Sequence, residues 1–355
     1  MITISLCMIV RDEEETLARC LNSIYDLVDE IIIVDTGSAD ETKKIASNYT
    51  SKIYDFEWLD DFSVARNYSF SKANMEYILW LDADDIILEK DREKFEQLKN
   101  KMTYDIDVVM MKYDLGVSAD GMPICTFFRE RLLKRSKQFK WYDPVHEYLD
   151  FSGKIINSDI CITHKKTKSR SRRNLNIFKK RLLEGKELSS RQQFYYAREL
   201  YHHGEYDESI TYFSKFLDTE NGYLSNYIDA CIDLSKCYLR KKETKLALRT
   251  LYRSFEYDTP RAEICCEIGS FFKFNKEYNK AIYWYKLATT IIKPEHRWGS
   301  ITHDCYDYIP YMEICACYYR LGNIEKAIIY SYKAAEAKPN DQKAQHNISF
   351  LKSIK

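Results

Sequence analysis

Glycine and proline are scarce in this chain, at 10 and 6 of 355 residues. So few turn-formers disfavour a loop-rich or all-β protein and favour helices. An excess of one charge is also missing, since 54 basic residues balance 54 acidic ones. No global basic field points to nucleic acid as a partner, and no acidic excess points to disorder. No run of 18 apolar residues occurs, so no transmembrane segment is expected. The opening stretch MITISLCMIVRDEEE has no positive leader, and its apolar run ends in acids, unlike a signal peptide. The 11 cysteines are odd in number and scattered, with no C-x-x-C pair. That pattern argues against zinc or a disulfide framework and for a reducing compartment. A cytoplasmic location is the expectation.

The chain is too long for one ordinary core, and its two halves have different rhythms. In the first half, Ile2 to Val10 is a β-branched run and EIIIVD (30–35) is a short continuous apolar strand. KIYDF and YILWLD read as further strands, with helical spacing at 13–25, 40–49 and 62–73 between them. Such alternation predicts a mainly parallel α/β sheet, whose ligands gather at the carboxyl ends of the strands. The polar clusters after Val10, at Asp35 and at Asp82 all fall there.

Beyond about residue 169 the pattern turns to paired helices. Four segments each give an apolar helix, a polar turn and a second helix opening on a small residue. Those residues are Ser209, Ala247, Ala281 and Ala327, spaced 38, 34 and 46 apart. With Gly204 and Gly322 at turns and Pro339 closing, the period is that of a tetratricopeptide repeat; an irregular bundle is the alternative. The long last interval holds an insertion rich in His, Trp and Tyr, IIKPEHRWGSITHDCYDYIP (291–310), expected to reach back towards the first domain. The expected domains are 1–170 and 171–355.

The stretch LWLDADD (79–85) runs from an apolar strand into three carboxylates within four residues. Two carboxylates about 4 Å apart repel by roughly 4 kcal/mol at an effective dielectric of 20. Solvent offsets that cost on a surface loop; a divalent cation offsets it in a site. Hard oxygens at the spacing of Asp82, Asp84 and Asp85 suit Mg²⁺ or Mn²⁺. Asp85 has a second reading, as a charge at the N-terminus of the next helix. Asp35 ends the second strand at the ligand edge, whereas Ser38 and Asp40 read as helix caps. Arg66 and Asn67 open a later helix, and Arg66 either binds a phosphate bidentately or forms an ordinary ion pair.

In order and interval, CMIVRDEEETLARCLNSI, EIIIVDTGSADET, FSVARN and ILWLDADD resemble the family 2 glycosyltransferases of the GT-A fold. With its repeats, the chain is similar to the branch that includes bacterial peptide S- and O-glycosyltransferases. The resemblance implies an α/β GT-A domain followed by an all-α tetratricopeptide domain. It implies a nucleotide-sugar donor, with UDP-hexose or UDP-N-acetylhexosamine expected, bound by Val10, Glu14, Asp35, Arg66, Asn67 and Asp82. Asp35 would contact the base and Asp82 the ribose. Asp84 and His164 would hold Mn²⁺ or Mg²⁺, and Glu147 of the VHE stretch would be the general base of an inverting transfer. One departure is Asp12, where the family usually has Asn.

The repeats would present a peptide or protein acceptor and offer a surface for a homodimer. The basic run Lys165–Arg173 reads equally as a solvated linker or as a screen for the diphosphate. Transfer to a cell-surface glycan or lipid-linked saccharide, and a repeat scaffold with an inactive transferase domain, are the competing functions. A nucleotidyltransferase would carry a Gly-rich phosphate loop, and IVRDEEET has none.

Overall fold

The computed structural model describes residues 1–116, 123–167, 171–219, 221–294 and 299–354. The chain divides into two compact units, Met1–Gly116 with Cys125–Leu183, and Glu184–Glu295 with Ser300–Lys355. Among the described residues no helix is long and apolar enough to cross a membrane.

The first unit is built on a mixed sheet. Its strands are β1 (Ile4–Val10), β2 (Glu30–Asp35), β3 (Ile53–Asp55), β4 (Tyr77–Trp80), β5 (Asp85–Ile87), β6 (Val108–Asp114), β7 (Cys125–Lys134) and β10 (Ile155–His164), in the order β3-β2-β1-β4-β7-β6-β10-β5. A separate hairpin pairs β8 (Lys140–Tyr142) with β9 (Tyr148–Asp150). All six residues of β2 are buried, as a continuous apolar run covered on both faces requires. Along β1, Leu6, Met8 and Val10 enter one core with Leu17, Leu21 and Phe95. Cys7 points to the opposite face, with Ile32, Val34 and Ile78.

The expected mainly parallel sheet is parallel in only part of its width. β3, β2, β1 and β4 pair in parallel, as do β6 and β10. β7 runs antiparallel to both β4 and β6, and β5 antiparallel to β10. Antiparallel neighbours need no crossover helix, and the sequence between β6 and β7 carries no helical pattern. The helices are shorter than their periodicity suggested: α1 (Leu17–Asn22), α2 (Thr42–Ser47), α3 (Phe62–Ser71) and α4 (Glu89–Lys101), with α5 (Arg173–Leu183) closing the unit.

The second unit is helical. Four hairpins pair α6 (Ser190–His202) with α7 (Tyr206–Leu217), α8 (Leu224–Arg240) with α9 (Thr244–Arg253), α10 (Ala262–Phe274) with α11 (Tyr278–Thr290), and α12 (Tyr308–Arg320) with α13 (Ile324–Ala337). A last helix, α14 (Gln342–Ser353), follows. Ser209, Ala247, Ala281 and Ala327 are all fully buried in the second helix of each pair. Twelve residues before each lies another small residue, Ala197, Ser235, Gly269 or Cys315, and Ser209 Oγ donates to the Ala197 carbonyl at 2.8 Å. At Gly269 an added Cβ would lie 2.8 Å from the buried Tyr285 ring. This second small-residue column is what lets each pair approach closely.

Five residues before each buried small residue of the second helix the backbone is left-handed. Gly204 and Gly322 take it at φ 79° and 74°, but Lys242 and Lys276 take it at 63° and 61°. Those lysines explain why the turn signal was visible in only two repeats. Residues 295–298 of the insertion lie outside the described residues.

Candidate active site

Strand register assembles the site. Val10 pairs with Asp35 at the ends of β1 and β2, and Cys7 of β1 pairs with Trp80 at the end of β4. The chain leaves β4 through Leu81 and Asp82 and re-enters the sheet at Asp85, directly opposite His164 of β10. Asp85 therefore begins a strand; α4 starts four residues later and is preceded by Leu88. The helix-charge reading of Asp85 gives way to a buried ionic one. Its Oδ1 accepts from the Tyr113 hydroxyl at 2.8 Å, and its Oδ2 accepts from the Asp82 amide at 3.1 Å and faces Arg131 Nη2 at 3.1 Å.

His164 Nδ1 lies 3.4 Å from Oδ1 of both Asp84 and Asp85, and 2.9 Å from the Tyr113 hydroxyl. Burial pulls the imidazole pKa down, but Asp84 and then Asp85 overcome it and raise it to about 10. Ligand atoms of Asp84, Asp85 and His164 all fall within 4.8 Å of one another. Two carboxylates and an imidazole fit Mg²⁺ or Mn²⁺ chemistry. Asp85 is already engaged by Tyr113 and Arg131, so Asp84, with its side chain 24 % exposed, is the carboxylate open to a cation. The backbone amide of Lys165, the first residue of the basic run, donates to the Asp84 carbonyl at 2.8 Å. Residues 168–170 of that run lie outside the described residues.

Helix α3 organises the other half. Its N-terminus is capped by Asp61, whose carboxylate accepts from the Val64 amide at 3.3 Å. The Phe62 amide donates to the Pro144 carbonyl at 2.9 Å, which ties the loop before Glu147 to the helix. Asn67 exchanges two 2.9 Å bonds with the backbone of Trp141. Its side-chain amide thus holds β8 against α3. Arg66 lies between the two halves. Its Nε donates to Glu147 Oε1 at 2.6 Å and its Nη2 to Asp82 Oδ1 at 2.8 Å. The guanidinium also sits 4.8 Å and 5.0 Å from the Trp80 and Trp141 rings, within cation–π range. Of the two readings of Arg66, the ion pair is the one present. Burial would raise the Asp82 pKa, yet Arg66, followed by Arg131 and Arg129, holds it at about 2.

Asp143 and His146, just before Glu147, have φ of 72° and 54°. Left-handed backbone at two non-glycine residues costs of order 1–3 kcal/mol each and concentrates at functional sites.

The remaining expected donor residues lie at the strand ends but are engaged locally. Asp35 accepts from the Gly37 and Ser38 amides at 3.1 and 3.0 Å and from the Ser38 hydroxyl at 2.5 Å. The Val10 carbonyl takes the Thr36 amide at 2.9 Å and hydroxyl at 3.1 Å. Glu14 Oε2 accepts from the Glu41 amide at 3.1 Å. Ser38 caps no helix: besides binding Asp35 it accepts from the Asp12 amide at 3.0 Å. Asp40 accepts from the Thr42 and Glu14 amides at 3.0 and 3.1 Å. These bonds knit the first two strand-end loops together.

The sequence reading missed Arg131 and Tyr113. Arg131 is fully buried, donates to the Trp80 carbonyl at 3.1 Å and stacks 3.8 Å from the Trp80 ring. The available signal was CTFFRERLLK (125–134), charges inside an otherwise apolar strand. Removing one partner of a buried ion pair typically costs about 3–5 kcal/mol. Arg131→Met should therefore lower the unfolding free energy of the first unit, measured by urea denaturation, by that amount, whereas an unchanged value would show that Asp85 does not need the arginine.

Residues 5–162 match the Glycosyl transferase family 2 model, and residues 311–341 match a tetratricopeptide repeat. The first unit is thus similar to family 2 glycosyltransferase domains, and part of the second to a tetratricopeptide repeat.

A TPR repeat-containing protein of Synechococcus elongatus is 40 % identical over 153 residues, 43 % of this chain and 36 % of that protein. The SPbeta prophage-derived glycosyltransferase SunS of Bacillus subtilis is 27 % identical over 286 residues, 76 % of this chain and 65 % of SunS. The chain thus spans between about one third and two thirds of the length of these curated relatives. Among solved structures, the MamA protein covers 46 % of this chain and 80 % of its own, at 20 % identity and a TM-score of 0.37.

Proposed function

We propose that the protein is a metal-dependent inverting glycosyltransferase that moves a sugar from a UDP-sugar to a peptide or protein side chain. The observation carrying this reading is the Arg66 bridge, which holds Asp82 and Glu147 in one array beside Asp84 and His164. Likeness to SunS, a glycosyltransferase by name, supports the same class. Val10, Glu14, Asp35 and Asp82 at the strand ends receive the nucleoside, and Asp84 with His164 would hold Mn²⁺ or Mg²⁺, oriented by Asp85. The ion supplies charge neutralisation for the departing diphosphate. Glu147 takes the acceptor proton as the acceptor oxygen or sulfur bonds to the anomeric carbon and the bond from that carbon to the diphosphate oxygen breaks. Arg66 fixes the Glu147 carboxylate in position for that transfer. The repeats hold the acceptor, and eleven free thiols support a cytoplasmic site of action.

Thermal unfolding with UDP-glucose or UDP-N-acetylglucosamine, with and without Mn²⁺, tests the donor and metal together. Ligand at 100 times its dissociation constant should stabilise the protein by about 2.7 kcal/mol. That gain should need the metal and vanish in Asp84→Asn. Absence of any metal-dependent shift with UDP-sugars would sink the assignment.

A further inference from the structure

Apart from the candidate site, the first unit holds a cavity of about 470 Å³, within the roughly 300–1,000 Å³ usual for small-molecule sites. Asn67, Phe70 and Ser71 of α3 line it, since residues three and four apart share one helix face. Ala73, Ile78, Leu133 and Phe139 supply the rest of its apolar wall. Ile78 and Leu133 stand opposite each other on β4 and β7 and are 5 % and 1 % exposed. That part of the wall is the packed sheet itself. The Phe70 ring is fixed by an edge contact with the Trp141 ring at 5.9 Å.

The charged part of the lining has one sign. KRSKQFK (134–140) places four cations in seven residues with no carboxylate among them. Arg135–Lys137 folds as a short 3₁₀ turn, closed by Gln138 at φ 53°, whose amide donates to the Arg135 carbonyl at 3.1 Å. Lys134 and Lys137 are spent on Asp107, at 3.8 and 3.4 Å. Arg135 and Lys140 are not: among the described residues no carboxylate lies within ion-pair distance of either. Lys134, Arg135 and Lys140 all line the cavity, and none of the described residues lining it is acidic. Asp150, opposite Lys140 in the hairpin register, is not in the lining. Arg135 Nε donates to the Met75 carbonyl at 2.5 Å, which anchors the guanidinium and leaves its Nη edge for a ligand. A guanidinium edge matches a carboxylate or phosphate group with two parallel bonds. An apolar wall beside uncompensated positive charge fits an apolar body that carries a negative group.

We propose that this cavity binds a small amphipathic organic anion, its apolar body against Phe70, Ile78, Leu133 and Phe139 and its anionic head on Arg135 and Lys140. The site is independent of the transferase reading, because none of these residues belongs to the strand-end array.

Isothermal titration of the full-length protein with naphthalenesulfonate and with naphthylmethylammonium tests it. The anion should bind saturably with a dissociation constant below about 1 mM, and the cation at least about tenfold more weakly. Losing a hydrogen bond to a charged group weakens binding roughly ten- to a hundredfold, and that loss is expected in Arg135→Ala and in Lys140→Ala. Ser71→Trp, at an exposed position in the lining, should fill the cavity and abolish binding. Lys137→Ala removes a cation of the same run that does not line the cavity and should leave binding unchanged. Should Arg135→Ala lower the melting midpoint through its lost bond to Met75, Lys140→Ala, at an exposed side chain, carries the test alone. Absence of saturable anion binding, equal affinity for the two probes, an equal loss in Lys137→Ala or full binding by Ser71→Trp overturns the proposal.

Discussion

Glu147→Gln is expected to cut turnover by about 10²–10⁴-fold while leaving donor affinity intact. A positioned carboxylate acting as general base typically contributes that factor, and an inverting transfer must remove the acceptor proton as the new bond forms. Glutamine keeps the length of the side chain and an oxygen that can accept from Arg66 Nε, now 2.6 Å from Glu147. It cannot take the proton. The loss should therefore appear in kcat rather than in donor binding, measured by initial rates and by donor titration of the same protein. With a cysteine acceptor the factor should shrink, since a thiol is already a few per cent thiolate near neutral pH. The size of the loss thus distinguishes a thiol acceptor from a hydroxyl one. A large fall in donor affinity would instead give Glu147 a structural role.

What could be read from the sequence was what depends on local pattern. The strand ends at Val10, Asp35 and Trp80 were marked by apolar runs stopping at polar clusters, and the repeats by a period carried on Ser209, Ala247, Ala281 and Ala327. The antiparallel half of the sheet was not marked, because its pairings join segments far apart in sequence: His164 meets Asp85 across 79 residues. The same reason hid Tyr113 and Arg131, whose partners lie 28 and 46 residues away in sequence. The Asn67 contact with β8 was hidden for a different reason. Its motif placed it on the right helix, though it lies at mid-helix rather than at the start, and only the position of β8 turns its amide onto Trp141. Arg66 was found by motif, yet its double ion pair became visible only once the hairpin brought Glu147 back beside Asp82.

Arg66→Met should be the most damaging substitution for the stability of the first unit. The arginine side chain is 8 % exposed and neutralises two carboxylates at once, Asp82 at 2.8 Å and Glu147 at 2.6 Å. Methionine fills the space beside Trp80 and Trp141 but leaves both charges facing each other. Breaking a buried pair from one side costs about 3–5 kcal/mol, which corresponds to a fall of about 10 °C in melting temperature for a domain of this size. The deficit should depend on pH in a defined direction. The Asp82 pKa is held at about 2, below its ordinary 3.8, because Arg66 leads the pull that outweighs burial. Its contribution is complete above that ordinary value and is lost as pH falls through about 2. In the variant Asp82 takes up its proton at higher pH, which relieves the repulsion with Glu147. Denaturation midpoints of the two proteins should therefore lie furthest apart near pH 7 and converge as pH drops from about 4 towards 2.5. A gap that stays constant with pH would locate the loss in packing against the two tryptophans. Arg66→Lys keeps the charge but not the fork, so it should recover part of the stability while leaving one of the two carboxylates without its bond.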